Sequence, residues 1–262
     1  MIWVHNINPV ILHIYKNIAI RWYPLAYILG FIAAFIWIHY LIKNNYLDLN
    51  KKELDDFIFY LFLGVLLGGR IFYMIFYQFE LLLKKPFELF MVWHGGMSFH
   101  GGFIGILFFT YLFSKKYNKN LWKLYGSLAV VAPVGLFFGR IANFINGELW
   151  GKPTNGEWGI IFPEAGPLPR HPSQLYEAFL EGLILFIILF IIFKSTRKLK
   201  YLGPYFGMGY STFRIIVELF REPDRQLGYL ILKPITMGQI LSLIMFLFSV
   251  YIFYIIRKKE GF

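Results

Sequence analysis

The amino-acid sequence predicts an all-α integral membrane protein with seven transmembrane helices and a small extracytoplasmic cap. Of its 262 residues, 58% are hydrophobic and only 16% are charged, whereas charged residues make up about a quarter of a soluble domain. Seven apolar stretches approach the length of about 20 residues that a membrane-spanning helix needs. These spans leave no room for a large soluble domain, so we expect a single polytopic membrane domain over residues 1–262.

The predicted spans are separated by short polar connections. They cover residues 23–42, 57–79, 99–113, 124–145, 175–193, 202–220 and 235–256. The third and sixth are short or interrupted by Gly and Ser, which leaves a tilted or partly re-entrant path open for both. The first 20 residues lack the basic start, apolar core and cleavage site of a signal peptide. Their alternating Ile and polar residues favour a segment that lies along the membrane surface.

The distribution of Lys and Arg predicts the orientation in the membrane. Of the 26 Lys and Arg residues, 14 lie in the connections on one side and nine in those on the other. By the positive-inside rule, the N-terminus lies outside and the C-terminus in the cytoplasm. The Gly- and Pro-rich stretch at about 147–171 then lies outside and forms the cap. The net charge is +11, and the basic residues lie mostly in short clusters between apolar stretches. This distribution indicates membrane anchors rather than a nucleic-acid surface.

Composition also argues against several classes of chemistry. The chain has no Cys, which excludes disulfides, thiolate metal sites and a Cys nucleophile. Asp occurs only four times, and this scarcity argues against a Mg²⁺-dependent phosphotransferase. Ser98 and His100 are too close in sequence for a usual nucleophile and base, and an outward-facing triad would need Asp224 or a Glu. We therefore expect neither a metal nor a cofactor.

Three Arg residues, Arg70, Arg140 and Arg214, lie inside apolar stretches. A guanidinium group in the hydrocarbon core is costly unless it has an anionic partner or a wet cavity. Each is therefore a candidate site residue. The alternative is that each reaches the membrane surface or pairs with a neighbouring Glu, and this alternative is favoured for Arg70.

Arg214, Glu218 and Arg221 share one face of the sixth predicted helix, near its outer end. Two guanidinium groups against one carboxylate leave a positive charge that suits the oxygens of a phosphate. The alternative is structural, with this face paired to Glu177 and Glu181 of the fifth helix.

A second group of polar residues lies at the outer end of the fourth helix, in the segment GRIANFINGELWG, residues 139–151. Arg140 and Asn143 share a helical face, and small residues beside them permit close approach of another helix or a lipid headgroup. Glu148 follows the helix end. A capping or turn role explains Asn146 equally well.

Two further segments open helices. In HGGMSFHGG, residues 94–102, four Gly residues allow sharp bends and close approach of the backbone to a ligand. His100 in this segment is a candidate for proton transfer near neutral pH, whereas a satisfied hydrogen bond is the favoured role of His94. The segment RHPSQLYE, residues 170–177, opens the fifth helix, and a helix cap explains it better than a phosphate contact.

All four motifs fall at the outer ends of the third to sixth predicted helices. An anion pocket with a base, open near the outer leaflet, indicates a reaction on a phospholipid. A transport path would instead place polar residues in both halves of the membrane. At these residues the chain resembles the prolipoprotein diacylglyceryl transferase family, since the four motifs occur in the family's order and the resemblance covers most of the chain.

The resemblance implies a bacterial inner-membrane enzyme with seven spans, whose active site faces the outer leaflet. Its reaction moves the diacylglyceryl group of phosphatidylglycerol to the thiol of a lipobox Cys in a preprolipoprotein signal peptide and releases glycerol 1-phosphate. In the family, the residues matching Arg140 and Arg214 are regarded as phospholipid-binding and essential. His94 is a departure, because the family carries an acidic residue there.

These assignments give each candidate residue a role. Arg140 and Arg214 stabilise the leaving phosphate, and His100 is the candidate base for the thiol. Tyr23 resembles a polar Tyr of the family and is a candidate headgroup contact, with an aromatic-belt role as the alternative. Orientation and charge balance are assigned to Asn143, Glu148, Glu218 and Arg221. The expected partners are phosphatidylglycerol, lipobox peptides and membrane lipid, and the competing classes are a lipid or solute transporter and a phospholipid hydrolase.

Overall fold

The structure is a computed structural model that describes residues 2–15, 18–222 and 235–259. The chain divides into two compact units. The first comprises Met1–Trp37 with Gly126–Phe262, and the second comprises Ile38–Tyr125. The candidate residues Arg140 and Arg214 therefore belong to the first unit, and His100 belongs to the second.

The described residues are mostly helical, as the apolar composition predicts. The helices are α1 (Trp22–Lys43), α2 (Lys51–Leu63), α3 (Gly69–Tyr77), α4 (Phe79–Lys84), α5 (Phe99–Lys116), α6 (Leu121–Asn146), α7 (Ser173–Glu177), α8 (Leu185–Thr196), α9 (Leu202–Val217) and α10 (Met237–Lys258). A π-helical turn at Gly64–Gly68 joins α2 to α3, and another at Ala178–Ile184 joins α7 to α8. Short 3₁₀ turns lie at Pro86–Phe90, Val92–His94, Pro163–Ala165 and Leu199–Tyr201.

Five of the seven predicted spans correspond to described helices that are long and apolar enough to cross a membrane. They are Trp22–Lys43, Lys51–Tyr77, Leu121–Asn146, Ser173–Thr196 and Met237–Lys258. The third and sixth predicted spans correspond to α5, with 18 residues, and α9, with 16 residues. At about 1.5 Å per residue, α9 is shorter than a bilayer core of about 30 Å. α5 has enough residues for most of that distance, but its first turn contains His and Gly and its last turn contains two Lys.

Two small sheets accompany the helices in the described part of the chain, and they were not part of the prediction. β2 (Val10–Tyr15) and β3 (Ile18–Arg21) pair antiparallel just before α1. β1 (Trp3–Val4) pairs in parallel with β4 (Ile160–Ile161). The alternation of Ile with polar residues in the first 20 positions has the period of a strand, and the expectation that this segment lies along the membrane surface did not include its secondary structure.

Segment 147–171 folds around a small aromatic cluster in the first unit. The Phe162 side chain is only 1% exposed, and its ring lies 5.3 Å from that of His5, 6.2 Å from that of Phe144 and 6.2 Å from that of Trp150. Because Phe144 is on α6, this cluster attaches the segment to the end of α6. No pattern in the sequence predicts this cluster.

Gly151 is the point at which this segment meets the end of α9. Its N–H donates to the carbonyl of His171 at 2.9 Å, and the next N–H, that of Lys152, donates to the carbonyl of Phe220 at 2.8 Å. A Cβ on Gly151 would lie 2.6 Å from both carbonyl oxygens. Only glycine fits this crossing without displacing backbone.

In the second unit, glycine allows α5 to lie against the helix formed by α2, the π turn and α3. Gly101 and Gly105, four residues apart on α5, face Gly68 and Gly64, which have the same spacing. A Cβ on Gly101 would overlap the Gly68 carbonyl, and a Cβ on Gly105 would overlap the Gly64 carbonyl. Such paired small residues are typical of membrane helices in backbone contact. The expectation that this glycine-rich segment approaches a ligand is wrong for Gly101, which approaches a neighbouring helix.

This packing predicts opposite results for two adjacent positions. Gly101→Ala is expected to lower the melting temperature clearly, because overpacking costs about 1–3 kcal/mol. Gly102→Ala is the matched control, since its Cβ would lie 3.7 Å from the nearest atom, the Val65 carbonyl oxygen, and alanine favours a helix by up to about 1 kcal/mol. Thermal unfolding of both variants in detergent measures the difference, and equal melting temperatures would contradict this account of the interface.

Candidate active site

The first part of the candidate site lies at the end of α6. The helix stops at Asn146, and Gly147 follows with φ +67°, the left-handed conformation in which glycine commonly ends helices. The chain then turns back, so that the Asn143 amide donates to Oε1 of Glu148 at 2.7 Å. Oδ1 of Asn143 accepts from Nη1 of Arg140 at 3.4 Å. Asn143 and Glu148 therefore form a polar chain that supports one side of the Arg140 guanidinium.

The second part comes from the long apolar helix Ser173–Thr196. Glu177 ends α7, Glu181 lies in the π turn that follows, and neither has any exposed surface. Nε of Arg140 lies 2.8 Å from Oε2 of Glu177, and Nη2 of Arg140 lies 3.9 Å from Oε2 of Glu181. α6 packs closely against this helix at Gly182. A Cβ on Gly182 would lie 2.7 Å from the Cβ of Phe137, which is on α6. π turns are frequent at functional sites.

The third part comes from α9 and the residues after it. Nη1 of Arg214 donates to Oε2 of Glu177 at 2.7 Å, and Nη2 donates to Oε1 of Glu218 at 2.6 Å. Nη1 of Arg221 lies 3.4 Å from each oxygen of Glu177. Oε2 of Glu218 also accepts from the hydroxyl of Thr236, just before α10, at 2.9 Å. Three guanidinium groups thus converge on Glu177.

These six residues form what we call the arginine–glutamate cluster: Arg140, Glu177, Glu181, Arg214, Glu218 and Arg221. Three positive and three negative groups balance one another. The surplus positive charge expected from Arg214, Glu218 and Arg221 alone is therefore offset by Glu177 and Glu181, the pairing that the sequence analysis gave as the structural alternative.

The balanced cluster still presents a cationic surface. The Arg140 and Arg214 side chains keep 16% and 13% of their surface accessible, whereas Glu177 and Glu181 keep none. An approaching anion can therefore reach guanidinium groups without first meeting these two carboxylates. Guanidinium groups in such a position match the geometry of phosphate oxygens.

His100 lies in the second unit, at the second position of α5, and is exposed. Ser98 caps this helix, because its hydroxyl accepts from the N–H of Gly101 at 3.2 Å. The N–H of Ser98 in turn donates to the carbonyl of Gly69 at 2.9 Å. The start of α5, and His100 with it, is therefore fixed to the start of α3.

Arg70 of α3 organises the segment that leads to His100. It is only 4% exposed. Its guanidinium donates to five backbone carbonyls, those of Glu88, Leu89, Met91, Gly95 and Gly96. Buried polar groups are usually satisfied in this way. Arg70 makes no ion pair with a carboxylate of the described residues, so that form of the favoured alternative is wrong for this residue.

The other candidate residues have more local contacts. Tyr23 is the second residue of α1 and is 37% exposed, with its ring 5.6 Å from that of Tyr27. Within the described residues, Tyr23 makes no hydrogen bond with the arginine–glutamate cluster. Nδ1 of His94 lies 2.8 Å from Oε2 of Glu88, which confirms the expected hydrogen bond of that imidazole. Asp224 lies outside the described residues.

The residues of the RHPSQLYE segment that precede Glu177 make mainly structural contacts. α7 begins at Ser173 directly after Pro172. The Ser173 hydroxyl donates to the Leu149 carbonyl at 3.1 Å, and the Gln174 amide donates to the Glu148 carbonyl at 2.6 Å. Burial and the charge of Lys152 lower the pKa of His171 from its ordinary value, so its imidazole is neutral at neutral pH. The segment therefore fixes the backbone that carries Glu148.

The family of the chain follows from its full-length similarity. The family model described as Prolipoprotein diacylglyceryl transferase matches residues 9–255. The chain belongs to this family. The four motifs that carry the resemblance all lie within the matched residues.

Three relatives named Phosphatidylglycerol--prolipoprotein diacylglyceryl transferase illustrate the similarity. The protein of Legionella pneumophila (strain Corby) is 43% identical over 254 residues, which cover 97% of this chain and 99% of the relative. The protein of Rickettsia akari (strain Hartford) is 45% identical over 250 residues, covering 94% and 96%. The protein of Pseudoalteromonas atlantica (strain T6c / ATCC BAA-1087) is 47% identical over 240 residues, covering 90% and 85%.

Glu177 and Glu181 are the residues that the sequence analysis placed outside the site. A signal for them exists, because a carboxylate inside a spanning helix is as unusual as an Arg and needs a partner for the same reason. Applying that rule to acids as well as to Arg would have included both residues. Within the described residues, no group of three or more His, Asp or Glu is arranged to hold a metal ion.

Proposed function

We propose that this chain transfers the diacylglyceryl group of phosphatidylglycerol to the thiol of a lipobox Cys in preprolipoproteins and releases glycerol 1-phosphate. This reaction is the first step of bacterial lipoprotein maturation. The observation that carries the proposal is the accessible cationic part of the arginine–glutamate cluster. It occurs in a chain whose family and relatives are named for this transfer.

The chemistry of the reaction explains the need for fixed cations. A bond between a glyceryl carbon and a phosphate oxygen breaks, and a bond between that carbon and the thiol sulfur forms. The departing phosphate gains negative charge relative to the phosphodiester of the lipid. Guanidinium groups held at this phosphate therefore stabilise the transition state more than the bound lipid. We assign this role to Arg140 and Arg214.

The thiol must lose its proton before or during the attack. Its ordinary pKa is about 8.5, so only a few per cent is thiolate at neutral pH. His100 is the proposed base, because it is exposed at the rigid start of α5 and imidazole accepts protons near neutral pH. The proton passes from the sulfur to the imidazole and then to water.

The remaining residues hold the phosphate-binding groups in place. We assign orientation of Arg140 to Asn143 and Glu148, and orientation of Arg214 and Arg221 to Glu218 and Glu177. Arg221 adds positive charge behind Glu177. Tyr23, exposed at the start of α1, is the proposed contact to the lipid headgroup.

We place the protein in the bacterial inner membrane with seven spans, the N-terminus outside and the C-terminus in the cytoplasm. Five long apolar helices and the distribution of Lys and Arg support this arrangement. α5 and α9 are the proposed third and sixth spans, with α9 covering only part of the bilayer thickness. Residues 147–171 form an extracytoplasmic cap of the single membrane domain, and the active site faces the outer leaflet.

A peptide assay tests the proposed reaction. The purified protein is mixed with phosphatidylglycerol and a lipobox peptide in detergent, and the products are identified by mass spectrometry. We expect a thioether-linked diacylglyceryl group on the peptide and an equal amount of glycerol 1-phosphate. A peptide with Ser in place of the lipobox Cys is the control and should remain unmodified.

Other outcomes of this assay identify the competing classes. Diacylglycerol that appears without peptide would indicate a phospholipid hydrolase, in which water replaces the thiol. Unchanged lipid and peptide would contradict the transferase proposal and favour a transporter.

A further inference from the structure

Glu181 is bound differently from the other acids of the arginine–glutamate cluster. Glu177 and Glu218 accept hydrogen bonds from guanidinium groups at 2.6–3.4 Å. Glu181 is equally buried, but neither of its oxygens accepts a hydrogen bond from a residue that the structure describes. Its nearest cationic atoms are Nη1 of Arg214 at 3.6 Å and Nη2 of Arg140 at 3.9 Å. Glu181 is therefore held near the two guanidinium groups by charge and packing alone.

The absence of hydrogen bonds to Glu181 is not explained by a purely structural role in connecting helices. A carboxylate that only joined helices would be expected to accept hydrogen bonds, because a buried acceptor without a donor is destabilising. Glu177 already provides that connection for Arg140, Arg214 and Arg221. What Glu181 adds is one negative charge on the buried side of the two guanidinium groups that are proposed to hold the substrate phosphate.

This charge acts against any phosphate on the accessible side. With three Arg and three Glu the cluster is balanced, so a bound phosphodiester adds one negative charge to it. The released phosphate monoester carries between one and two negative charges near neutral pH. Repulsion from Glu181 scales with the charge on the ligand, so the product is repelled more strongly than the substrate lipid.

We propose that Glu181 limits how tightly Arg140 and Arg214 hold phosphate, and thereby favours release of the phosphate product over retention. The inference rests on the proposed function. It makes Glu181 a residue that sets affinity by acting through the two guanidinium groups, without contact to the reacting atoms.

The test compares Glu181→Gln with the wild-type protein in the peptide assay. We expect the KM for phosphatidylglycerol, measured as a mole fraction in mixed micelles, to fall by about tenfold. We expect the inhibition constant of added glycerol 1-phosphate to fall further, by up to about a hundredfold, because its charge is larger. Structural damage to the site would raise both constants.

Further variants separate the effect of charge from that of side-chain shape. Glu181→Asp keeps the charge and should leave both constants within about threefold of the wild type. Glu164→Gln removes one charge from an exposed residue of the 3₁₀ turn Pro163–Ala165, and both constants should be unchanged. Should Glu181→Gln not accumulate in the membrane, Glu181→Ser removes the same charge with a smaller side chain and must lower both constants.

The outcomes distinguish this inference from the proposed function. If the wild-type protein transfers no diacylglyceryl group, the proposed function fails. If the wild-type protein is active but loss of the Glu181 charge leaves the glycerol 1-phosphate inhibition constant unchanged or raises it, the function stands and the role of Glu181 is wrong.

Discussion

Arg140→Lys is expected to lower kcat for diacylglyceryl transfer by about a hundredfold or more, while the protein still accumulates in the membrane. Removing one transition-state donor typically costs about 10²–10³ in rate. Lysine keeps the positive charge that balances Glu177 and Glu181. It lacks the planar fork with which Arg140 contacts Asn143 and Glu177 and is proposed to bind a phosphate. The measurement is the initial rate of peptide modification at saturating lipid.

Lysine is more informative here than alanine. Arg140→Ala would leave two buried carboxylates with less compensation, and breaking a buried ion pair costs about 3–5 kcal/mol. A lower activity of Arg140→Ala could then result from a smaller amount of folded protein rather than from a slower reaction. Arg170→Lys is the matched control, because Arg170 is similarly buried, at 14% exposure, and donates to Glu222 at 3.0 Å. A rate for Arg140→Lys similar to that of this control would contradict the proposed role of Arg140 in stabilising the leaving phosphate.

His100→Gln is expected to lower the rate severely at neutral pH, by about 10²–10⁴, the usual contribution of a general base. The loss should become smaller as the pH rises. Without the base, the reaction depends on thiolate formed in solution, which increases about tenfold per pH unit below the thiol pKa of about 8.5. The wild-type rate should rise less over the same range, because in the proposed mechanism His100 accepts the proton.

His94→Gln is the control for this second prediction. It removes an imidazole from the same segment, one that is paired with Glu88 rather than placed at the start of α5. Its rate and pH profile should resemble those of the wild type. If His100→Gln keeps its full rate at neutral pH, the thiol loses its proton to another group.

The membrane class and most of the candidate site could be predicted from the sequence. An apolar stretch of about 20 residues indicates a membrane-spanning helix. An Arg inside such a stretch is rare enough to indicate a functional site. Five residues that the structure links directly or through Glu177 were all named as candidates: Arg140, Asn143, Arg214, Glu218 and Arg221. Tyr23 and His100 remain predictions, because their proposed roles depend on bound substrates.

The charge balance could not be predicted, because it depends on how two helices are rotated about their axes. Glu177 and Glu181 share a face of the long helix Ser173–Thr196, but the sequence does not say whether that face meets α6, α9 or lipid. The close packing at Gly182 determines the contact with α6. The role of Gly101 was missed for the same reason, since glycine before a ligand and glycine against a helix have the same sequence pattern.

The parallel pairing of β1 with β4 determines when the fold can be completed. Trp3 pairs with Ile160, and His5 stacks on Phe162, so the first strand has no partner until α1 to α6 have been synthesised. Pairing between residues so distant in sequence forms late, because closing a long loop costs entropy before the contact stabilises it. An N-terminal fusion protein would therefore interfere with the last stage of assembly, and affinity tags belong at the other end of the chain.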